Sequence, residues 1–457
     1  MMKPFPLLLL SLALCSACSK QKESGEAPDF PQLVEKGEIT AVTLYSSTSY
    51  FLYRMEPMGY EYELMNDFAR ANGLKLTMKV AESLPRLVEM LSLGEADVAA
   101  YPVVLSNELK EGYLSCGREE PVYQVVVQPV KPGGKILADV TELIGKEVYV
   151  KSGTPFHDRL VRLDKELGGG IIIQALEEDI ISEELVERVA NGEIPYTITD
   201  DKTARLNKTY YRNIDINLPI SFRQRSSWIV DKRRPLLAGA INEWAQDKVS
   251  ARSYKATAKR YFELSKKMQD YSAHPIRNGR ISPYDSLFRK YAKALDWDWM
   301  LLASLSWQES HFIDSVESWA GACGLMGIMP RTAAALDIPL PELADPETNI
   351  RAGTEVLRRF KAGFREVGDS LQRIKFTLAA YNAGIGHVQD ACRLAGKHGK
   401  SPTVWDDNVA GFILLKREPA YYNDPACKFG YLRGAETFLY VKEILDRYEF
   451  YKKAMNP

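Results

Sequence analysis

Little in this sequence favours one sign of charge. Basic and acidic residues number 59 and 60, a formal net charge of −1. Such a chain lacks the basic footprint that phosphate backbones require, so no nucleic-acid partner is expected. Histidine is scarce, five in 457 residues and scattered. Neither His nor Cys recurs at metal-ligand spacing, so no metal and no cofactor are expected. Internal repeats and low-complexity blocks are absent. The N-terminal apolar run, Leu7 to Leu14, is too short to cross a bilayer. What is present is 46% hydrophobic and 26% charged, ordinary globular material sufficient for two or three compact units.

The beginning of the chain carries an address. Lys3 precedes the apolar run, and Cys15-Ser16-Ala17-Cys18 follows it. This resembles a bacterial lipoprotein signal, in which cleavage exposes a cysteine for acylation. Cys18 fits best because the small Ser16 and Ala17 precede it, although Cys15 stands where an aliphatic residue is preferred. The resemblance implies a lipid anchor in the cell envelope, on the periplasmic side of the outer membrane. Residues 1–18 are read as the signal and 19–37 as a polar tether. Of the remaining cysteines, Cys116, Cys323, Cys392 and Cys427, export permits pairing but sequence cannot choose among the pairings. Cys392 with Cys427 is the first pair to test, and buried free thiols are the alternative.

From residue 38 to 265, short β-rich runs such as Ile39–Leu44, Leu74–Val80, Asp97–Tyr101, Glu147–Val150 and Tyr196–Thr199 alternate with helical stretches such as Tyr62–Asn72 and Leu84–Leu93. That alternation predicts an α/β domain with largely parallel sheets. Residues 266–281, rich in turn signals at His274-Pro275 and Asn278-Gly279, read as a linker. From 282 to 457 strand signals all but vanish, which predicts an all-α domain opening at Ser282-Pro283-Tyr284-Asp285.

The chemistry points to Glu309. A helix capped by Asp296 is expected to run through Trp297, Leu301, Leu302 and Leu305, and Glu309 shares that face at intervals of four and seven. A carboxyl group held among apolar side chains loses hydration and keeps its proton, as a general acid must. Pairing with a buried Arg is the competing reading of such a Glu.

Four blocks then follow in order. They are Ala320–Ala333, with Gly324-Leu325-Met326-Gly327; Asn349–Gly353; Leu378–Gly384, with Tyr381-Asn382; and Arg433–Val441. With Ser304–Phe312 before them, they resemble the lysozyme-like domain of lytic murein transglycosylases. The resemblance implies that Glu309 protonates the glycosidic bond of peptidoglycan and then acts as base toward the sugar's own 6-hydroxyl, leaving a 1,6-anhydro end. It also implies substrate contacts from Ser310, Met326, Tyr381, Asn382 and Tyr440. Gly327 departs from the Gln of many relatives, so one polar contact is lost or supplied elsewhere. The motif fixes no second carboxylate nearby, unlike the usual two-carboxylate glycosidase.

The blocks Gly59–Ala69, Ala96–Ala100 and Gly145–Thr154 resemble family 3 periplasmic solute-binding proteins, which close two lobes on a ligand. Asp200 matches their amine-binding Asp, whereas Leu109, beside Lys110, replaces their carboxylate-binding Arg. A muropeptide stem that controls the second domain is therefore the expected ligand, and a structural spacer the alternative for this domain. The whole is expected to be a multidomain, lipid-anchored enzyme acting on glycan strands. A cell-wall sensor whose C-terminal domain merely grips glycan is the alternative.

Overall fold

The computed structural model describes residues 28–177, 180–264 and 279–455. Cys18, the tether up to residue 27 and most of the linker lie outside them.

The first half contains two sheets. The first is built from β1 (Glu38–Leu44), β4 (Lys75–Ala81), β5 (Val98–Val104), β6 (Tyr113–Val122) and β12 (Gln224–Asp231), in the order β4-β1-β5-β12-β6. Here β4, β1 and β5 run parallel, and β12 lies antiparallel between β5 and β6. A two-stranded hairpin, β2 (Phe51–Tyr53) with β3 (Glu56–Met58), stands apart from it. The second sheet holds β7 (Gln124–Pro129), β8 (Glu147–Lys151), β9 (Ile172–Leu176), β10 (Thr197–Asp200) and β11 (Ile214–Pro219), in the order β11-β7-β10-β8-β9. The chain enters the second lobe through Tyr123 and returns through residues 220–223. This is the expected two-lobed α/β arrangement, with β-branched strands buried between covering helices. The cleft between the lobes is bridged. Ser47 donates to Glu183 across it, and Lys202 of the second lobe pairs with Glu120 at 2.6 Å and Glu61 at 3.2 Å.

The second half is helical. Its central helix, Trp299–Ser310, has nine of twelve residues buried, so it is enclosed on nearly every side rather than along one stripe. Its cap is Asp298, whose side chain accepts from Met300 N. Asp296, the expected cap, instead takes left-handed backbone at φ 53° where a short 3₁₀ turn ends. Ser282 does bond to Asp285 and Tyr284 as a helix-start motif would, although the helix proper is Asp285–Ala292. The helices Gly434–Met455 and Asp285–Ala292 pack directly on the central one, and Pro346–Ala362, Ser370–Ala383 and Ile385–Lys397 complete the same hydrophobic core. Ala320, Ala322 and Met329 of this half join the hydrophobic core of the first lobe, so the two halves share an apolar seam. All four cysteines outside the signal are free.

One buried ion pair pins the far wall. Asp390 and Lys416 are both fully enclosed, and Asp390 also accepts from the backbone amides of Lys428 and Phe429 at 2.9 Å. Burial pulls the Lys416 ammonium toward neutrality while Asp390 opposes it. Lys416→Met strands a buried carboxylate with only Arg393 as counter-charge. The substitution is expected to cost about 3 kcal/mol, at the low end for breaking a buried pair, read as a lower unfolding midpoint in urea.

Candidate active site

Glu309 sits in the last turn of the central helix, beside a sharp reversal at His311 (φ 50°) and Phe312 (φ 63°). Its side chain is 6% exposed, so the expected enclosure is present. Tyr440, on the helix Gly434–Met455, donates its hydroxyl to Glu309 Oε1. Burial, with the nearby Glu309 charge, keeps that hydroxyl protonated.

A cation from the first domain occupies the same place. Arg54, at the tip of the β2–β3 hairpin, donates from Nη2 to both Glu309 oxygens at 2.9 and 2.8 Å. Its Nη1 donates to Gly327 O at 2.7 Å. The guanidinium carbon lies 5.7 Å from the centre of the Tyr381 ring. Burial opposes its charge, but Glu309, Tyr53 and Tyr440 more than restore it. The competing sequence reading, a buried Glu paired with Arg, thus describes this state, with the Arg contributed by the other domain.

Two glycines of the sequence blocks make room, Gly327 for the Glu309 carboxylate paired with Arg54 and Gly384 for the hairpin. A Cβ at Gly327 (φ 58°) would lie 2.2 Å from Glu309 Oε2 and 3.3 Å from Arg54 Nη1, and one at Gly384 (φ 91°) would lie 2.7 Å from Met55 Cγ. At Gly327 the space a side chain would take is filled first by the Glu309 carboxylate and then by Arg54. The hairpin turn itself uses left-handed backbone at Arg54 (φ 49°) and Met55 (φ 66°), which costs non-glycine residues about 1–2 kcal/mol each. Such outliers persist where surrounding contacts hold them. Here those contacts are the Glu309 grip and the bond between Leu52 O and His387 Nε2 at 3.3 Å. Burial, together with Lys416, holds the His387 ring neutral.

The other expected site residues divide. Tyr381 donates to Met326 O at 2.8 Å, fixing the loop under Glu309 while its ring faces Arg54. Asn382 accepts from Thr437 Oγ1 at 2.7 Å and borders the cavity that also holds Arg54. Ser310 and Met326 are fully enclosed. The Ser310 hydroxyl spans Ser306 O and Leu325 O, so it braces the loop and offers nothing to a ligand in this state. Asn349 ties the same loop through Met326 N, Cys323 O and Leu343 O. Asp200 caps the helix Asp201–Tyr210 through Thr203 N at 2.8 Å. Two residues escaped the sequence reading, Arg54 and Glu436. Glu436 lines the Arg54 cavity and feels the charge of Glu309. Among the described residues no group of His, Cys, Asp or Glu could hold a metal ion.

An enclosed carboxyl on a central helix, in a cleft walled by Tyr and Asn, defines a lysozyme-like glycan-cleaving domain. Comparison agrees, since residues 286–404 match the family model described as the transglycosylase SLT domain. The chain is 30% identical to a membrane-bound lytic murein transglycosylase F from Desulfosudis oleivorans, over 92% of this chain and 91% of that one. It is also 30% identical to one from Photobacterium profundum, over 96% and 84%. Among solved structures, substrate-binding domain 2 of Lactococcus lactis GlnP in its open conformation matches 52% of this chain and 99% of its own, with TM-score 0.43 and 17% identity. The chain belongs to the membrane-bound lytic murein transglycosylase F family, enzymes of peptidoglycan.

Proposed function

We propose that this enzyme cleaves the β-1,4 bond between N-acetylmuramic acid and N-acetylglucosamine without consuming water, with Glu309 in both proton-transfer roles. Its carboxylic acid gives the proton to the glycosidic oxygen, which leaves as the 4-hydroxyl of N-acetylglucosamine. The resulting carboxylate takes the proton of the muramic 6-hydroxyl while O6 bonds to C1. The observation that carries this reading is the enclosure of Glu309 in the last helical turn. There the carboxyl group is withheld from bulk water and held by Tyr440 at the wall of the cleft. Tyr440 orients the carboxyl, and Tyr381 and Asn382 wall the sugar site. Mass spectrometry of digested peptidoglycan is expected to find 1,6-anhydromuramic ends. Reducing ends would mean that water attacks instead, and the reading would then be wrong.

The arrangement described above is a resting state in this reading. With Arg54 on Glu309, both carboxyl oxygens are engaged and the sugar site is filled. The second lobe holds the other side of the catalytic domain. Glu183 receives Tyr431 at 2.6 Å, Arg417 meets Glu184 at 2.7 Å, and Arg433 reaches Asn207 at 3.0 Å. The catalytic domain therefore spans both lobes, and a change in their separation strains one set of contacts. A muropeptide stem held between the lobes, with Asp200 at its amine, supplies that change. Acylation at Cys18 tethers the enzyme to the periplasmic face of the outer membrane, beside its substrate.

A further inference from the structure

The even charge of the whole chain conceals a local imbalance. The helix Lys248–Phe262, which closes the first domain, sets Lys248, Arg252, Lys255, Lys259 and Arg260 against no acidic residue. Arg260 is engaged by Glu63. Arg252, Lys255 and Lys259 are exposed and recur at steps of three and four, so they share one stripe. Four residues past Lys259 the same stripe reaches Glu263, whose amide still bonds back to Lys259 O at 2.9 Å. There it meets a cavity.

That cavity, about 390 Å³, lies where the end of this helix packs on the helix Asp201–Tyr210 of the second lobe. Arg205, Lys208 and Arg212 line it, again at steps of three and four. Phe262 supplies an apolar wall, with the Arg205 guanidinium 5.1 Å from its ring centre. Glu263 is the one acidic side chain among the described residues of the lining. Neither these three cations nor the three of the stripe has an ion-pair partner among the described residues. Like charges at such steps repel one another. Six of them without counter-charge make a surface that an anion fits.

The shape narrows the choice of anion. A bilayer is flat, whereas half of these cations wall a concave, partly aromatic space, which suits separate anionic groups on a flexible chain. The place in the fold narrows it further. Tyr210, on the same helix, is the ring on which Arg433 of the catalytic domain stacks at 3.8 Å. An occupant of the cavity is therefore held beside the domain that cuts glycan. The polymer cut there carries peptide stems with free carboxylates, and from Arg252 to Glu263 the stripe offers them about 17 Å of edge.

We propose that the cavity of Arg205, Lys208 and Arg212, with the stripe of Arg252, Lys255 and Lys259, is a wall-binding surface. It grips the stem carboxylates of peptidoglycan while the catalytic domain works on the strand. The proposal rests on peptidoglycan as substrate, and not on how the bond is cut or on what the lobes enclose.

The test sediments the full chain with purified insoluble peptidoglycan at several salt concentrations. Glu309→Gln is present throughout, so that the polymer stays intact. Adding Arg205→Ala, Lys208→Ala and Arg212→Ala together is expected to weaken binding about tenfold, the sum of three exposed contacts that are each worth little. It should also flatten the salt dependence. Amidating the carboxylates of the polymer should weaken the parent by the same factor and leave the triple variant nearly unchanged. Lys255→Ala with Lys259→Ala, both exposed, should cost about threefold and serves should the triple variant fold poorly. Equal binding by parent and variants, or a loss that persists on amidated polymer, would overturn the assignment. Vesicles of phosphatidylglycerol and phosphatidylcholine give the competing outcome. If the triple change abolishes vesicle binding and spares peptidoglycan binding, the surface faces a membrane and the proposal fails. The binding readout needs no turnover, so its failure is distinct from a failure of the transglycosylase reading.

Discussion

Glu309→Gln is expected to lower the release of anhydro products at least about 10³-fold while leaving the fold intact. One positioned acid or base is commonly worth 10²–10⁴-fold, and Glu309 serves as acid in one half-reaction and base in the other. An amide does neither. It can still accept one bond from Arg54 Nη2 and one from Tyr440, because both donate to Oε1. The variant therefore keeps the contacts at Oε1 and loses the proton, the charge and the Arg54 bond to Oε2, where its amide nitrogen would be a second donor. Initial rates on purified peptidoglycan, with products weighed by mass spectrometry, measure the effect. A variant within tenfold of the wild type would remove Glu309 from the chemistry. The hairpin should loosen slightly in the same variant, since a neutral amide holds a guanidinium less firmly than a carboxylate does.

How much of this was written locally in the sequence follows from distance along the chain. The alternation of β-rich and helical runs foretold the two-lobed domain, and the apolar spacing around Glu309 foretold its burial. The cap assignment slipped by two residues because Asp296 and Asp298 flank Trp297 alike; only the preceding 3₁₀ turn, which ends in left-handed backbone at Asp296, separates them. Arg54 was invisible for a different reason. Its partner lies 255 residues away, and the hairpin turn that presents it contains neither Gly nor Asn, the residues that announce two left-handed positions. Glu436 lies inside the Arg433–Val441 block, but nothing local to it marks its place on the cavity that Arg54 lines. Its neighbour Tyr440 was assigned to the site, and the step from one to the other is a single helical turn. Gly327 was noticed as a missing contact. The structure turns that absence into a fit, because the space a side chain would take is filled by the Glu309 carboxylate and, next to it, by Arg54 of the other domain.

Arg54→Ala is expected to raise the initial rate on peptidoglycan by about tenfold to 10²-fold, an unusual direction for a substitution beside a catalytic Glu. In the closed state Arg54 and Glu309 are 10% and 6% exposed, so cutting away one partner leaves a buried, unpaired carboxyl. That situation costs about 3–5 kcal/mol, and the closed state alone bears the cost, because an open cleft returns Glu309 to substrate and water. Each 1.4 kcal/mol shifts the closed-to-open ratio tenfold, so a state mostly closed in the wild type becomes mostly open. The observed gain is capped by the fraction already open, which sets the range given. Met55 against Gly384 and Leu52 on His387 remain and oppose full release. A second comparison separates unlocking from any direct effect on catalysis. Peptidoglycan stem peptides should accelerate the wild type and leave Arg54→Ala nearly unchanged, because a ligand shifts only an equilibrium that still favours the other state. Should Arg54→Ala be no faster than the wild type, the guanidinium is not what restrains Glu309. Should stem peptides accelerate both equally, whatever they do does not pass through the hairpin, and the first domain reverts to the role of a spacer.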